Sequence, residues 1–251
     1  MTYLYPTTAP RVLAHRGLTI DAFGSPIDEN TIPAFARAME VGATHIESDI
    51  QVTADGVAVL FHDDDLARVA GIPSKISEVS IADLRSISLD HGGCIPTLQE
   101  ALDSLPNARF NLDFKVAAAV SAGSKVIQES RAIDRVLVAS FSDARRLGAQ
   151  ALLPGAVASA GSGTLLACRL LSAMGARNPA WALRGAAAIQ VPVSSGPILF
   201  ASKKFIGKLA STGIETHFWT INNPDEMKRL VALGAAGVVT DRADLAVAAL
   251  L

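Results

Sequence analysis

Residues 11–17 read Arg-Val-Leu-Ala-His-Arg-Gly, a short apolar run that ends in charged residues and a glycine. Apolar residues then recur at 32, 35, 36 and 39, the spacing of one face of a helix. A second short run, Thr44–Asp49, follows at once. A strand, a helix and a strand in this order predict a right-handed βαβ unit and therefore a parallel sheet.

The same alternation continues to the end of the chain and predicts eight strand–helix pairs. The predicted strands are Arg11–His15, Thr44–Asp49, Arg109–Lys115, Arg135–Ser140, Ala156–Ser159, Ala187–Val191, Glu215–Thr220 and Gly237–Asp241. Eight such pairs in 251 residues match the size of a closed (β/α)8 TIM barrel of the α/β class. An open doubly wound sheet is the structural alternative. Because no Pro- or Ser-rich linker divides the chain, residues 1–251 are predicted to form one domain.

One interval interrupts the alternation. Gly56–Phe61 follows the turn at 54–56 and predicts an extra strand after the second one. The polar stretch that comes next, about 63–93, contains several Gly and Pro residues before the next helix begins near Thr97. We expect a small insertion there, long enough to form a rim or a lid.

The composition excludes several classes of protein. Half of the residues are hydrophobic and the formal net charge is only −2, which argues against disorder and against a nucleic-acid or acidic-membrane surface. Cys94 and Cys168 are too few for a disulfide framework and are predicted to be reduced, buried thiols. The first residues show no signal peptide, so a cytoplasmic protein without stable membrane association is expected. The oligomeric state is left open.

Charged side chains are concentrated where the predicted strands end. The first strand ends in His15 and Arg16, and the extra strand is followed by His62. The second strand ends in Glu47 and Asp49, and the third ends in Asp113 and Lys115. The carboxyl ends of the strands form the active face of a parallel barrel. We therefore expect all of these side chains to lie around one site.

The residue types indicate the chemistry of that site. Glu47 and Asp49 are two apart on a strand and share a face, so they can bind one cation together with Asp113. Oxygen ligands favour one divalent cation, Mg²⁺ or Ca²⁺, with Mn²⁺ possible as well. Arg16 and Lys115 add positive charge suited to a phosphate, and two imidazoles can remove and donate protons near neutral pH. Together these groups indicate hydrolysis of a phosphodiester.

The motifs that carry these residues resemble the glycerophosphodiester phosphodiesterases in order and spacing across nearly the whole chain. They are Leu13–Gly17, Glu29–Thr31, Glu47–Asp49 with Thr53–Gly56, His62–Asp63, Ile95–Leu98, Asn111–Lys115, Trp219–Asn222 and Thr240–Asp241. The resemblance implies a TIM barrel with a small insertion after the second strand, and metal-dependent release of an alcohol and glycerol 3-phosphate. It implies His15 and His62 as acid and base, and Arg16 and Lys115 as phosphate contacts. The metal ligands that it implies are Glu47, Asp49 and Asp113.

The chain departs from the family pattern at one ligand. Asp113 stands where the motif more commonly carries Glu, and is one methylene shorter, which bears on the identity and affinity of the metal. The insertion is also short by family standards, which leaves the specificity for the alcohol open. Two other functions remain: a phospholipase D-like enzyme that takes a larger lipid, and a catalytically inactive barrel that binds phosphorylated metabolites.

Several further residues have a structural interpretation beside a functional one. Trp219 is predicted to form a wall against the glycerol moiety rather than to fill the core. Asp63 is a candidate to orient His62, and Glu29 a candidate to support Arg16 or the metal. His45 and His91 are predicted to be structural or solvated, and His217 to line the barrel interior.

Overall fold

The computed structural model describes residues 2–251, and its central element is a barrel of eight parallel strands surrounded by helices. The strands are β1 (Arg11–His15), β2 (His45–Val52), β3 (Ala58–Leu60), β4 (Asp65–Leu66), β5 (Ile72–Lys75), β6 (Phe110–Phe114), β7 (Val136–Ala139), β8 (Val157–Ala158), β9 (Ala188–Val191), β10 (Ser194–Ser195), β11 (Ile198–Leu199), β12 (Glu215–Phe218) and β13 (Gly237–Thr240). The helices are α1 (Ile32–Glu40), α2 (Ala67–Ala70), α3 (Ile81–Leu84), α4 (Leu98–Ser104), α5 (Ala117–Glu129), α6 (Asp143–Leu152), α7 (Ser162–Ala173), α8 (Lys203–Ala210), α9 (Pro224–Ala232) and α10 (Ala243–Leu250).

The strand order around the barrel is β8-β7-β6-β2-β1-β13-β12-β9. One parallel bridge, Ser159 to Ala188, joins the two ends, so the barrel is nearly closed. On either side of this bridge, Ala187 donates to the carbonyl of Ala158, and Ala160 donates to that of Ala188, both at 2.9 Å. The predicted α/β barrel is therefore confirmed over the open doubly wound sheet.

The second strand is longer than the predicted Thr44–Asp49 because β3 folds back onto its end. Ile50 pairs antiparallel with Leu60, and Val52 with Ala58, which extends β2 as far as Val52. Along β2, Ile46 and Ile50 pack in the apolar layer with α5, whereas Glu47 and Asp49 point into the barrel. This alternation delivers two carboxylates of one strand to the same cavity.

The predicted insertion forms a small structured rim. The hairpin of β4 and β5, with α2 and α3, packs around a separate apolar cluster that includes Phe61, Leu66 and Leu84. The Asp28 carboxylate accepts hydrogen bonds from the backbone amides of His91 and Gly93 and so fastens the end of the rim to the loop before α1. His91 itself is exposed, in agreement with its structural or solvated assignment.

The N-terminal segment closes the end of the barrel opposite the predicted active face. Tyr3 is fully buried and contacts Leu137 and Ala188. The ring of His45 lies 4.6 Å from that of Tyr3 and hydrogen-bonds the Tyr3 carbonyl through Nε2 at 3.2 Å. Burial lowers the pKa of His45 to about 3, so this ring is neutral at physiological pH and serves the structure, as predicted.

Local signals in the sequence set the helix boundaries. Thr31 caps α1 by accepting from the amide of Ala34, with Pro33 in the first turn, and Thr97 forms a capping box with Glu100 at the start of α4. One prediction about the cysteines is wrong: Cys168 is buried, but Cys94 is exposed, because it lies in the loop that ends the rim. Among residues 2–251, no helix has the length and apolar character needed to cross a bilayer.

Candidate active site

A cavity of about 540 Å³ opens at the carboxyl ends of the barrel strands. All eight residues predicted for the site line it: His15, Arg16, Glu47, Asp49, His62, Asp113, Lys115 and Trp219. Since these residues come from four strands and from the rim, only closure of the barrel brings them together. The structure thus places the predicted groups around a single site, at the face where parallel barrels carry theirs.

The imidazole of His15 is oriented by a carboxylate from the last strand. Its Nδ1 atom lies 2.6 Å from Oδ1 of Asp241, and the Asn222 side chain donates to the other Asp241 oxygen at 2.7 Å. Burial alone would lower the pKa of His15, but the hydrogen bond to Asp241 and the charge of Glu47 raise it above its usual value. The ring is therefore held in one orientation with Nε2 directed away from Asp241.

Arg16 follows in a left-handed backbone conformation, with a φ of 58°. Its amide donates to the Glu47 carbonyl at 2.9 Å, and its Nη1 donates to Glu29 at 3.0 Å. The Nε atom is buried, has no hydrogen-bond partner in the described part of the chain, and lies 3.7 Å from Oδ2 of Asp49. Arg16 is thus held from one side by Glu29, as predicted, while a buried donor on its guanidinium group stays unpaired beside the cavity.

The two acids of β2 occupy different environments. Asp49 accepts from the Asn30 amide at 3.2 Å, and Asn30 is fixed in turn by Ser48 at 2.7 Å. Burial would raise the pKa of Asp49, but the adjacent Lys115 ammonium group lowers it below its usual value. Burial and the negative charge of Asp49 raise the pKa of Glu47 well above its usual range. The ionised form of Glu47 therefore needs an additional positive charge nearby.

Lys115 lies between the acids of β2 and β6. Its Nζ atom is 2.8 Å from Oδ1 of Asp49 and 2.8 Å from Oδ2 of Asp113. The second Asp113 oxygen is buried and has no hydrogen-bond partner from residues 2 to 251, and burial raises the pKa of this carboxyl group. The predicted phosphate contact thus lies in the cavity, but it is paired with two of the three predicted metal ligands.

The donor set has the chemistry of a site for a hard cation. It consists of three buried carboxylates, one of them with an unpaired oxygen, and oxygen donors suit Mg²⁺, Ca²⁺ and Mn²⁺. Over residues 2–251, however, no three His, Cys, Asp or Glu side chains converge as a preformed metal centre. Lys115 contributes to this lack of convergence, because its ammonium group lies between Asp49 and Asp113 and neutralises both carboxylates.

His62 is the second imidazole of the cavity and belongs to a chain of ion pairs at the rim. Its Nδ1 atom lies 2.7 Å from Oδ1 of Asp63, so Asp63 contacts the ring that it was predicted to orient. Arg68 bonds the other Asp63 oxygen at 2.6 Å and reaches Glu29 at 3.2 Å. Since Glu29 also binds Arg16, this chain joins the two sides of the charged half of the site.

The other half of the cavity is largely apolar. Trp219, at the end of β12, meets the ring of Phe141 edge-on, with their centroids 6.0 Å apart. Leu165, Leu166, Ile198 and Phe200 complete this wall. The three carboxylates that line the cavity all belong to β2 and β6, on the charged side. A ligand in this cavity is consequently exposed to charge on one side and to hydrocarbon on the other.

Sequence reasoning missed Asp241, Asn222 and Arg68 as supports of the two histidines. Asp241 stood at the end of the last predicted strand, so the rule that strand ends carry the site could have found it. His217 faces the barrel interior as predicted, but it does not line the cavity. It is completely buried and hydrogen-bonds Glu215 at 2.9 Å instead.

Comparison with known proteins agrees with this geometry. Residues 15–245 match the model of the glycerophosphoryl diester phosphodiesterase family. A protein of Mycobacterium tuberculosis named probable glycerophosphodiester phosphodiesterase 2 is 38% identical over 235 residues, which cover 93% of this chain and 88% of that protein.

Solved structures show the same fold. A glycerophosphodiester phosphodiesterase of Thermotoga maritima has a TM-score of 0.74 and 25% identity, with 97% of this chain and 99% of that chain covered. A phosphodiesterase of Oleispira antarctica in complex with the product sn-glycerol-3-phosphate has a TM-score of 0.74 and 22% identity, with 94% of each chain covered. With a family match over nearly its whole length and a relative at 38% identity, the chain belongs to the glycerophosphoryl diester phosphodiesterase family of phosphoric diester hydrolases.

Proposed function

We propose that the protein hydrolyses glycerophosphodiesters to an alcohol and glycerol 3-phosphate, with His15 and His62 as the acid–base pair and with one divalent cation. The observation that carries the proposal is that each histidine is hydrogen-bonded to its own carboxylate, Asp241 or Asp63, and that both rings line the cavity that also contains Arg16. Two oriented imidazoles beside a cationic group are the arrangement that a phosphodiester requires.

Arg16 supports binding of the phosphate on the charged side of the cavity. Its buried Nε atom is a donor with no hydrogen-bond partner among residues 2–251, and a phosphate oxygen would satisfy it. Lys115 adds a second positive charge next to it. In this position the two cations stabilise the negative charge that develops on the phosphate oxygens during attack.

Glu47, Asp49 and Asp113 would hold the divalent cation. A bound cation would supply the positive charge that the buried Glu47 carboxylate lacks, and would polarise the phosphate. The unpaired Asp113 oxygen and the all-oxygen donor set support this assignment.

The two histidines differ in their surroundings, and this suggests how the proton transfers are divided. His15 is bonded to Asp241 through Nδ1, which leaves Nε2 to accept the proton of the attacking group, for example the glycerol 2-hydroxyl. Attack by that hydroxyl would release the alcohol and form a cyclic phosphate, and a water molecule would then open the ring to give glycerol 3-phosphate. His62 lies on the rim beside Asp63 and would donate a proton to the departing alcohol. Its position beside the rim supports this role, because we expect the alcohol to leave the barrel on that side.

The test is hydrolysis of a panel of glycerophosphodiesters by the intact protein, first treated with a chelator and then supplied with Mg²⁺, Ca²⁺ or Mn²⁺ separately. We expect glycerol 3-phosphate and the free alcohol as products, and turnover only with added metal. Binding of glycerol 3-phosphate without any hydrolysis would overturn the proposal and favour the inactive phosphate-binding barrel.

A further inference from the structure

The charges of the chain are divided unevenly along the sequence. Residues 144–214 contain no Asp or Glu, so all 24 acidic residues lie in the rest of the chain. The same stretch carries eight of the 22 basic residues: Arg145, Arg146, Arg169, Arg177, Arg184, Lys203, Lys204 and Lys208. Its formal charge is +8, and that of the remainder is −10. The net charge of −2 therefore conceals a strongly basic segment.

The helices of this segment are neighbours on one side of the barrel. α7 packs against α6, against α8 and against the 3₁₀ helix Pro179–Leu183. Lys208 of α8 donates to the Ser172 carbonyl of α7 at 3.1 Å. The guanidinium group of Arg169 lies 5.3 Å from the centre of the Phe205 ring on α8. The basic segment therefore presents its cations on one continuous surface.

Most of these cations have no anionic partner. Arg146 is buried and lies 3.5 Å from Asp143, whereas the other seven form no ion pair with a carboxylate within the structure of residues 2–251. Four of the seven are exposed to solvent: Arg177, Arg184, Lys203 and Lys204. Their charge is consequently available to an external anionic surface.

An apolar row lies on the solvent side of α7. Leu166, Leu170 and the following Met174 are four residues apart and share a face that extends for about 12 Å. Leu170 is 53% exposed and Met174 82%. Trp181, on the 3₁₀ helix that packs along α7, is 70% exposed. Of the nine large hydrophobic side chains exposed among residues 2–251, seven belong to the stretch 141–199, so they are concentrated on the basic side.

The apolar row begins at the mouth of the cavity. Leu166 lines the cavity and is exposed to solvent as well, and the same holds for Phe141. The apolar wall of the cavity thus continues through Leu166 onto the outside of α7. A partner bound along α7 would lie directly beside the opening.

The chemistry of this surface distinguishes between possible partners. Exposed aliphatic side chains with a tryptophan and flanking cations are typical of a surface that lies in the interface of an anionic membrane. A second copy bound through the same surface would bring two segments of charge +8 together, which is unfavourable. A nucleic acid would pair with the cations but would leave the aliphatic row without a contact.

We propose that the α7 face, consisting of Leu166, Leu170, Met174, Trp181 and the flanking cations, binds reversibly to the surface of an anionic lipid bilayer. The apolar side chains insert among the lipid headgroups, and the cations pair with the lipid phosphates. The expectation against an acidic-membrane surface rested on the net charge of the whole chain, which averages the two parts. This inference is independent of the proposed function, and it places the mouth of the cavity beside the bilayer.

The experiment measures partitioning of the intact protein onto lipid vesicles by sedimentation. One set of vesicles contains phosphatidylglycerol and phosphatidylcholine in equal parts, and the other contains phosphatidylcholine alone. The protein should bind the anionic vesicles at least about tenfold more strongly, because each cation near an anionic surface contributes on the order of fivefold. Raising the salt from about 0.1 M to about 0.5 M should remove most of this difference.

Two double variants test the two components of the α7 face. Lys203→Gln with Lys204→Gln should lower the partition coefficient on anionic vesicles by about ten- to thirtyfold. Leu170→Ser with Met174→Ser should lower it by at least about tenfold, because two apolar side chains no longer leave water. All four side chains lie outside the cavity, and unchanged midpoints of thermal unfolding verify that both variants fold.

Matched controls remove the same kinds of side chain elsewhere. Lys125→Gln with Lys228→Gln removes two exposed cations on α5 and α9. Phe23→Ser removes an aromatic ring that is 94% exposed in the loop before α1. Both controls should bind the anionic vesicles as the wild-type protein does, because their substitutions lie outside the α7 face.

Trp181 provides an independent measurement. The chain contains two tryptophans, so in Trp219→Phe the fluorescence comes from Trp181 alone. Its emission should move to shorter wavelength with anionic vesicles and should be quenched by brominated acyl chains, because the indole leaves water. An emission that does not change with bound vesicles would show that the protein binds through another surface.

Several outcomes would overturn the inference. They include no binding to the anionic vesicles, equal binding to both sets, and equal losses in the controls and in the α7 variants. A dimer that dissociates in the Leu170→Ser, Met174→Ser protein, without vesicle binding, would assign the α7 face to a second copy. Binding of an oligonucleotide without vesicle binding would assign the cations to a nucleic acid. In each case the hydrolysis of glycerophosphodiesters in solution is unaffected and is tested separately.

Discussion

Nδ1 of His15, on the first barrel strand, lies 2.6 Å from Oδ1 of Asp241, which follows the last one. The two residues are 226 positions apart, and pairing of β1 with β13 in parallel makes them neighbours. The hydrogen bond fixes the tautomer and the orientation of the ring. It also raises the pKa of His15, against the effect of burial, and so ties the pH profile of the enzyme to Asp241.

Asp241→Asn should lower the pKa of His15, because it removes a negative charge that stabilises the imidazolium. As the proposed base, His15 must be neutral and is active above its pKa. The acidic limb of kcat/KM should therefore move to lower pH, while the maximal rate falls on the order of tenfold or more because the ring loses its orientation.

A pH–rate profile measures both effects. Asp244→Asn is the control, since Asp244 pairs with Arg242 and not with a histidine. A basic limb that moves while the acidic limb stays fixed would instead identify His15 as the acid.

Asp113→Glu should change the affinity or the preference for the metal, because a longer side chain alters the size of the cation site. Titration of chelated protein with Mg²⁺, Ca²⁺ and Mn²⁺, followed by activity and by calorimetry, measures the effect. Identical titrations for both proteins would remove Asp113 from the ligand set. Full activity in a verified metal-free preparation would show that Lys115 alone provides the positive charge between Asp49 and Asp113.

His15→Ala and His62→Ala should each reduce kcat by about 10²–10⁴-fold, the usual contribution of a general acid or base. The double variant should lose much less than the product of the two, since groups that act together are not additive. A nitrophenyl ester leaves without protonation, so it should restore activity to His62→Ala but not to His15→Ala. Rescue of neither variant, or near-normal rates for both, would contradict the two-histidine mechanism.

Gly17→Ala should destabilise the protein by more than Gly56→Ala. Both glycines have a positive φ, 90° and 85°, so alanine is strained at either position. An added Cβ at Gly17 would lie 2.7 Å from the backbone of Ala34, whereas at Gly56 it would meet no atom of the described residues within 4 Å, its chain neighbours aside. Thermal or urea unfolding should show a cost of about 1 kcal/mol at Gly56 and several times that at Gly17. Equal costs would mean that α1 can move away from the loop after β1.

The sequence predicted the barrel, its eight strands along the chain and eight of the residues that line its cavity, because charged motifs follow several of the strands. For Lys115 the sequence favoured a phosphate contact over a plain ion pair, so it did not predict the pairing with Asp49 and Asp113. Contacts such as His15 with Asp241 depend on closure of the ring and on side-chain packing across distant strands. The exposure of Cys94 was missed for a related reason: the path of the loop that ends the rim is not encoded in a periodic pattern. The cytoplasmic location and the absence of nucleic-acid partners stay predictions.

One bridge pair joins β8 to β9, fewer than at the other junctions of the barrel within residues 2–251. Other neighbouring strands are joined by up to five pairs of opposite residues, as β2 is to β6. More such pairs mean more backbone hydrogen bonds to break when two strands separate. In the ring order, this junction lies diametrically opposite β1 and β2, which carry His15 and Glu47. We therefore expect any widening of the barrel to occur on the side of Ser159, away from the charged groups. A ligand that widened the cavity at this junction would leave the spacing of His15 and Glu47 unchanged.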